Sequence, residues 1–126
     1  MTRLSRLVSH RAARLLLVGA SILLATNALA QANGTATSYF NSCATAYNAG
    51  KTDEALAACD RAIALDPSKA DAYFIKGSAL YGNGKIGADG KYQVPPGTIE
   101  ALKKYLELAP DGGHAPDVHA MLDALN

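Results

Sequence analysis

The 126-residue sequence predicts an all-α fold, a short array of helix–turn–helix units with one small β-hairpin inserted. Three observations carry that expectation. From residue 36 onward the chain aligns with itself, its apolar residues recur at helical rather than alternating spacing, and glycine or proline stands where each run ends. A shift of 34 residues superposes Ala36, Tyr39, Phe40, Tyr47, Gly50 and Lys51 on Ala70, Tyr73, Phe74, Tyr81, Gly84 and Lys85. A shift of 43 then superposes Ala58, Leu65 and Pro67 on Ala101, Leu108 and Pro110. Two copies of one unit are present, and the second carries nine extra residues.

The first thirty residues read as an export signal. Arg3, Arg6, Arg11 and Arg14 precede a twelve-residue apolar run, Leu15 to Thr26, and Ala28-Leu29-Ala30 follows it. A basic start, a short apolar core and an A-x-A site predict cleavage between Ala30 and Gln31. As a helix the run rises only about 18 Å, against a hydrocarbon core of about 30 Å, so a retained anchor is the weaker reading. No twin-arginine pair occurs, and no cysteine follows the site to carry a lipid. The processed chain is expected to be exported, periplasmic or secreted, with no stable membrane span. Residues 31–35 are small and polar, which predicts a flexible tail before the folded part.

Four helices are expected in the two units. Residues 36–49 place 39, 40, 43, 46 and 47 on one face, and Gly50 stops the helix. Residues 53–65 begin with two acids, favourable at a helix N-terminus, keep 55, 56, 59, 62 and 63 together, and end before Pro67. Residues 70–82 and 97–109 repeat the scheme, with Pro110 as the second stop. Tight turns make consecutive helices antiparallel neighbours. Repeat one thus spans 36–69 and repeat two 70–111. A last helix, 116–125, opens with Pro116 and carries Val118, Met121, Leu122 and Leu125 on one stripe, suited to covering the open end of the array.

A 34-residue helix–turn–helix period ending in proline resembles the tetratricopeptide repeat family. In repeat one the segment GKTDEALAACDRAIALDP carries the likeness, with Ala55 and Ala62 where the helices meet. In repeat two Tyr73, Gly77, Leu80, Leu102 and Pro110 fall at pattern positions. Ser42 and Lys76 depart from a preferred leucine, Ala46 from a tyrosine, and Thr98 and Tyr105 from alanine. The resemblance implies a solenoid of two repeats with a capping helix, and a non-catalytic scaffold that binds another protein or its peptide segment. It also implies that the first helices of the repeats line a concave groove. Phe40, Tyr47, Phe74 and Tyr81 match groove-facing places, and Asn41, Asn48 and Ser78 stand ready to add hydrogen bonds. The competing reading assigns Phe40 and Phe74 to packing between helices. Tyr39 and Tyr73 are expected in the core.

Two other features stand out. Cys43 and Cys59 lie eight residues before and eight after Lys51, at the turn of the first hairpin, so antiparallel helices bring them opposite each other. In an exported chain that predicts a disulfide, the alternative being two buried thiols that pack as small apolar residues. Lys85 to Val94 holds an Asp89-Gly90 turn between short alternating stretches, a β-hairpin signal. It is either a contact finger or a tolerated insertion.

The remaining signals exclude more than they assign. Without the leader, eight Lys/Arg face 11 Asp/Glu, a net charge of −3, which disfavours nucleic acid as a partner. His114 and His119 do not share a helical face, the D-x-D-x-D-G pattern is absent, and no nucleophile–base set is discernible, so no metal, cofactor or catalytic residue is expected. The leading expectation is a protein-interaction module in the cell envelope. The alternative is an accessory subunit of an envelope complex engaged through the hairpin and helix ends, or an assembly with further copies of the chain.

Overall fold

The computed structural model describes residues 34–126, so the export signal, its cleavage site between Ala30 and Gln31, and residues 31–33 of the tail lie outside the described residues. The order of elements is α1 (Ala36–Asn48), α2 (Thr52–Leu65), α3 (Ala70–Gly82), β1 (Lys85–Ile86), β2 (Tyr92–Gln93), α4 (Thr98–Leu108) and α5 (Ala115–Asp123). Each helix packs on the next, and α1 also meets α3. The fold is the expected all-α array of helical hairpins with one small antiparallel hairpin, Lys85 opposite Gln93 and Ile86 opposite Tyr92.

Local chemistry fixes the ends of the elements. Thr35 caps α1, its hydroxyl accepting a hydrogen bond from the Ser38 amide at 3.1 Å. At the other end Gly50 takes a left-handed φ of 71°, the Gly50 amide bonds Tyr47 O and the Lys51 amide bonds Ala46 O. That pair of bonds satisfies two carbonyls the helix would otherwise leave open. Asp53 and Glu54 occupy the first turn of α2, where their charge suits the helix dipole. Between α2 and α3, Asp66 Oδ1 accepts from the Ser68 amide and from its hydroxyl, closing a short Asx turn. Pro116 sits in the first turn of α5, where its missing N–H costs nothing.

The two repeats fill their interiors differently. At matching places, repeat one has Cys43, Ala46, Ala55, Cys59 and Ala62, and repeat two has Gly77, Leu80, Thr98, Leu102 and Tyr105. Leu102 and Tyr105 are sealed from solvent and pack with Ala115 and Val118 of α5. Repeat one is closed by Cys43 and Cys59, both fully buried, with Ile75 of α3 against them. Phe74 packs against both clusters and joins them.

Tyr39 and Tyr73 are both half-buried; Tyr73 packs against the Leu102–Tyr105 core as expected, whereas Tyr39 stands outside the core and corrects that expectation. Each lines a shallow cleft at its own hairpin seam, where a large ring has a lid on one side only. In repeat one the cleft is about 490 Å³, lined by Tyr39, Ser42, Glu54, Ala57, Ala58 and Arg61. In repeat two it is about 320 Å³, lined by Tyr73, Lys76, Gly97, Glu100, Ala101 and Lys104, the same places under the two sequence shifts. The Arg61 guanidinium lies 5.8 Å from the centre of the Tyr39 ring. Lys76 instead pairs with Asp60 of α2 at 2.6 Å, tying repeat two to repeat one.

Candidate functional site

The first helix of each repeat, α1 and α3, supplies the candidate surface. Along α1, Asn41, Tyr47 and Asn48 are exposed and Phe40 is half-buried. Tyr47 leaves 38% of its surface open. The Lys69 ammonium lies 5.3 Å from the centre of the Phe40 ring and gives that end of α1 a cationic edge. Asn41 also faces a cleft of about 400 Å³ between α1 and the start of α2.

Along α3 the matching residues are more enclosed. Phe74 stacks on the His114 imidazole at the start of α5, with ring centres 3.9 Å apart and planes within 6°. It also meets Tyr105, with ring centres 5.7 Å apart, and Tyr105 in turn lies 6.2 Å from the His114 ring. Phe74 therefore joins α3 to α4 and α5, the packing role the sequence had left open. The Ser78 hydroxyl oxygen is enclosed and makes no hydrogen bond among the described residues. Tyr81 is half-buried under the inserted hairpin, its ring 5.2 Å from that of Tyr92. The Tyr92 hydroxyl donates to Tyr81 O, so the hairpin is docked on the end of α3 rather than hanging free. At its other edge Ile86 leaves 68% of its surface open.

The structure brings Cys43 and Cys59 together as the hairpin symmetry predicts, with Cα atoms 5.1 Å apart and the sulfurs at disulfide distance. Three contacts escaped the sequence reading. His114 covers Phe74, Tyr105 fills the centre of repeat two, and the Tyr105 hydroxyl accepts from the His114 amide at 3.0 Å. Tyr105 carried a signal of a kind, since a large ring stood where the helices expect a small residue.

Electrostatics at the surface is mild. The Ser68 hydroxyl and amide hold the Asp66 carboxyl below its ordinary pKa, and the hydrogen bond to Glu107 raises Lys104. Both are surface groups with a local structural role. Among the described residues no cluster of three or more His, Cys, Asp or Glu is placed to hold a metal ion. Within the same residues no helix is long and apolar enough to cross a membrane.

Comparison with known families places this geometry. Residues 45–84, from the end of α1 through α2 and α3, match the family described as TPR repeat. That segment is similar to a tetratricopeptide repeat. No curated protein matches the chain. Tetratricopeptide repeats generally mediate protein–protein interaction, their stacked helix pairs presenting an extended face.

Proposed function

We propose that the chain is an exported, non-catalytic adaptor that holds a segment of another protein against the α1 face and the adjoining edge of α3. The exposure of Tyr47 carries the reading. Tyr47 presents an amphipathic ring at small entropic cost, flanked on the same helix by the open amides of Asn41 and Asn48. Phe40 beneath Lys69 extends the surface with an apolar base and a cationic edge. Phe74 packs against the Cys43–Cys59 interior behind α1, and Tyr81 holds the hairpin through Tyr92. Export rests on the arginine leader, the apolar run and Ala28-Leu29-Ala30, and a cysteine pair at disulfide distance suits an oxidising compartment.

One observation favours a second reading, in which the chain is an accessory subunit engaged through its hairpin. Ile86 is a large apolar side chain held open on a docked two-stranded finger. Two variants separate the readings. Asn41→Ala/Tyr47→Ala/Asn48→Ala alters only exposed positions of α1, and Ile86→Ser alters only the hairpin. Partner retention from an envelope extract should be lost in the first variant and kept in the second. The reverse pattern moves the contact to the hairpin. Tyr81→Ala is a poor discriminator because it also removes the ring against which Tyr92 packs.

A further inference from the structure

We propose that repeat one folds conditionally: closing the Cys43–Cys59 disulfide completes it, whereas repeat two and α5 fold without it. The contrast between the two copies is the ground. Three places filled by large side chains in repeat two hold small ones in repeat one. Leu102 becomes Cys59, Tyr105 becomes Ala62 and Leu80 becomes Ala46. Where Gly77 makes room for Leu102, repeat one puts two sulfurs across the same gap. The fully buried side chains of α1 and α2 are therefore alanines and the two cysteines, which bring little apolar area to the interior. Of the large residues that border this interior, Ile75 and Phe74 belong to α3, and α1 contributes only the half-buried Phe40. A crosslink over a sequence separation of 16 offsets that deficit by restricting the unfolded chain.

The chemistry is thiol–disulfide exchange with a disulfide donor. The thiolate of one cysteine attacks the donor's disulfide and expels one donor thiolate. The second cysteine then attacks the mixed disulfide and expels the other. One S–S bond breaks and one forms, the protein loses two electrons and two protons, and the donor leaves with both its sulfurs as thiols. Both cysteines are fully buried in the folded chain, so exchange occurs before repeat one closes or after it opens. The consequence is a device that makes α1 available only where such a donor exists. It is independent of which partner, if any, that face binds.

Segment-resolved amide hydrogen exchange tests this on the full chain. One sample is refolded from urea with glutathione disulfide, and another with a phosphine reductant. The proposal predicts that reduction speeds exchange across residues 36–65 on the order of a hundredfold. Exchange across 98–122 should change by less than about threefold. Cys43→Ser/Cys59→Ser should reproduce the reduced pattern with no reductant present. Equal protection of 36–65 in the oxidised, reduced and serine forms overturns the proposal. So does opening of 98–122 in step with 36–65, which would make the bond a support of the whole array. A failed partner assay leaves these outcomes untouched.

Discussion

Gly77 and Leu102 meet where α3 crosses α4, and the contact leaves no room for a methyl group. A Cβ on residue 77 would lie 2.6 Å from Leu102 Cδ2 and 3.3 Å from the Leu102 amide nitrogen, and Leu102 is fully buried. Alanine in place of a helical glycine gains about 1 kcal/mol of propensity. Overpacking costs about 1–3 kcal/mol, and here the backbone is one of the obstacles. Gly77→Ala should therefore lower stability overall, read as an earlier urea midpoint. Ser78 gives the opposite expectation. Its enclosed hydroxyl has no partner among the described residues, and repeat one has Ala44 at the same place, so Ser78→Ala should leave the midpoint unchanged or raise it by up to about 1 kcal/mol. Tyr105→Phe removes the acceptor of the His114 amide and should cost about 1 kcal/mol by the same measurement.

Asp66 sets a pH dependence that can be read at one residue. Its folded-state pKa is depressed by the Ser68 hydroxyl and amide, so its contribution is present above the unfolded pKa and is lost as pH falls through the folded one. The turn between the repeats should loosen only in acid, below the ordinary aspartate range. Ser68→Ala should move the Asp66 midpoint upward, toward its ordinary value, in a carboxyl NMR titration. An unmoved midpoint would remove Ser68 as the cause.

Among the elements, the inserted hairpin is the most separable. Two residues per strand give too little pairing to stand alone, and Tyr92 supplies the anchor through Tyr81. Tyr92→Ala should expose residues 85–93 to proteolysis while the global unfolding midpoint moves by less than about 0.5 kcal/mol. A large loss of midpoint would mean that the finger supports the array. The helices were legible because their ends are written locally: Gly50 and the prolines at 67, 110 and 116 stand within two residues of a helix end. The hairpin was legible from Asp89-Gly90, and Gly90 does take a positive φ, 76°. What period and punctuation do not encode is contact between distant turns. His114 reaches Phe74 across forty residues of sequence, and no spacing rule joins them. The half-burial of Tyr39 escaped for a related reason. Its helical face was right, but how far a ring is covered depends on the neighbouring helix, here Arg61 for Tyr39 and the α4–α5 core for Tyr73.

At the scale of the whole molecule, two repeats and one capping helix fall below the three units that usually make a stable array. The chain meets that shortfall in two ways. Repeat two gains large buried side chains and the cover of α5, and repeat one brings its two cysteines to bonding distance. The face proposed for partner binding is then the outer side of α1, where Asn41, Tyr47 and Asn48 are exposed. The candidate site was legible to that degree only. The internal alignment pairs Phe40 with Phe74 and Tyr47 with Tyr81 as equals. The array makes them unequal, because α3 is flanked by α4, α5 and the hairpin, whereas Tyr47 on α1 has no such cover. The central claim is that α1 is the working face. Its most direct test is a photocrosslinking amino acid placed in turn at positions 41, 47, 86 and 103, with adducts from the envelope mapped by mass spectrometry. One partner segment captured from 41 and 47, and not from 86 or 103, is the predicted result. Adducts from 86 alone, or from none but copies of the chain itself, would contradict it.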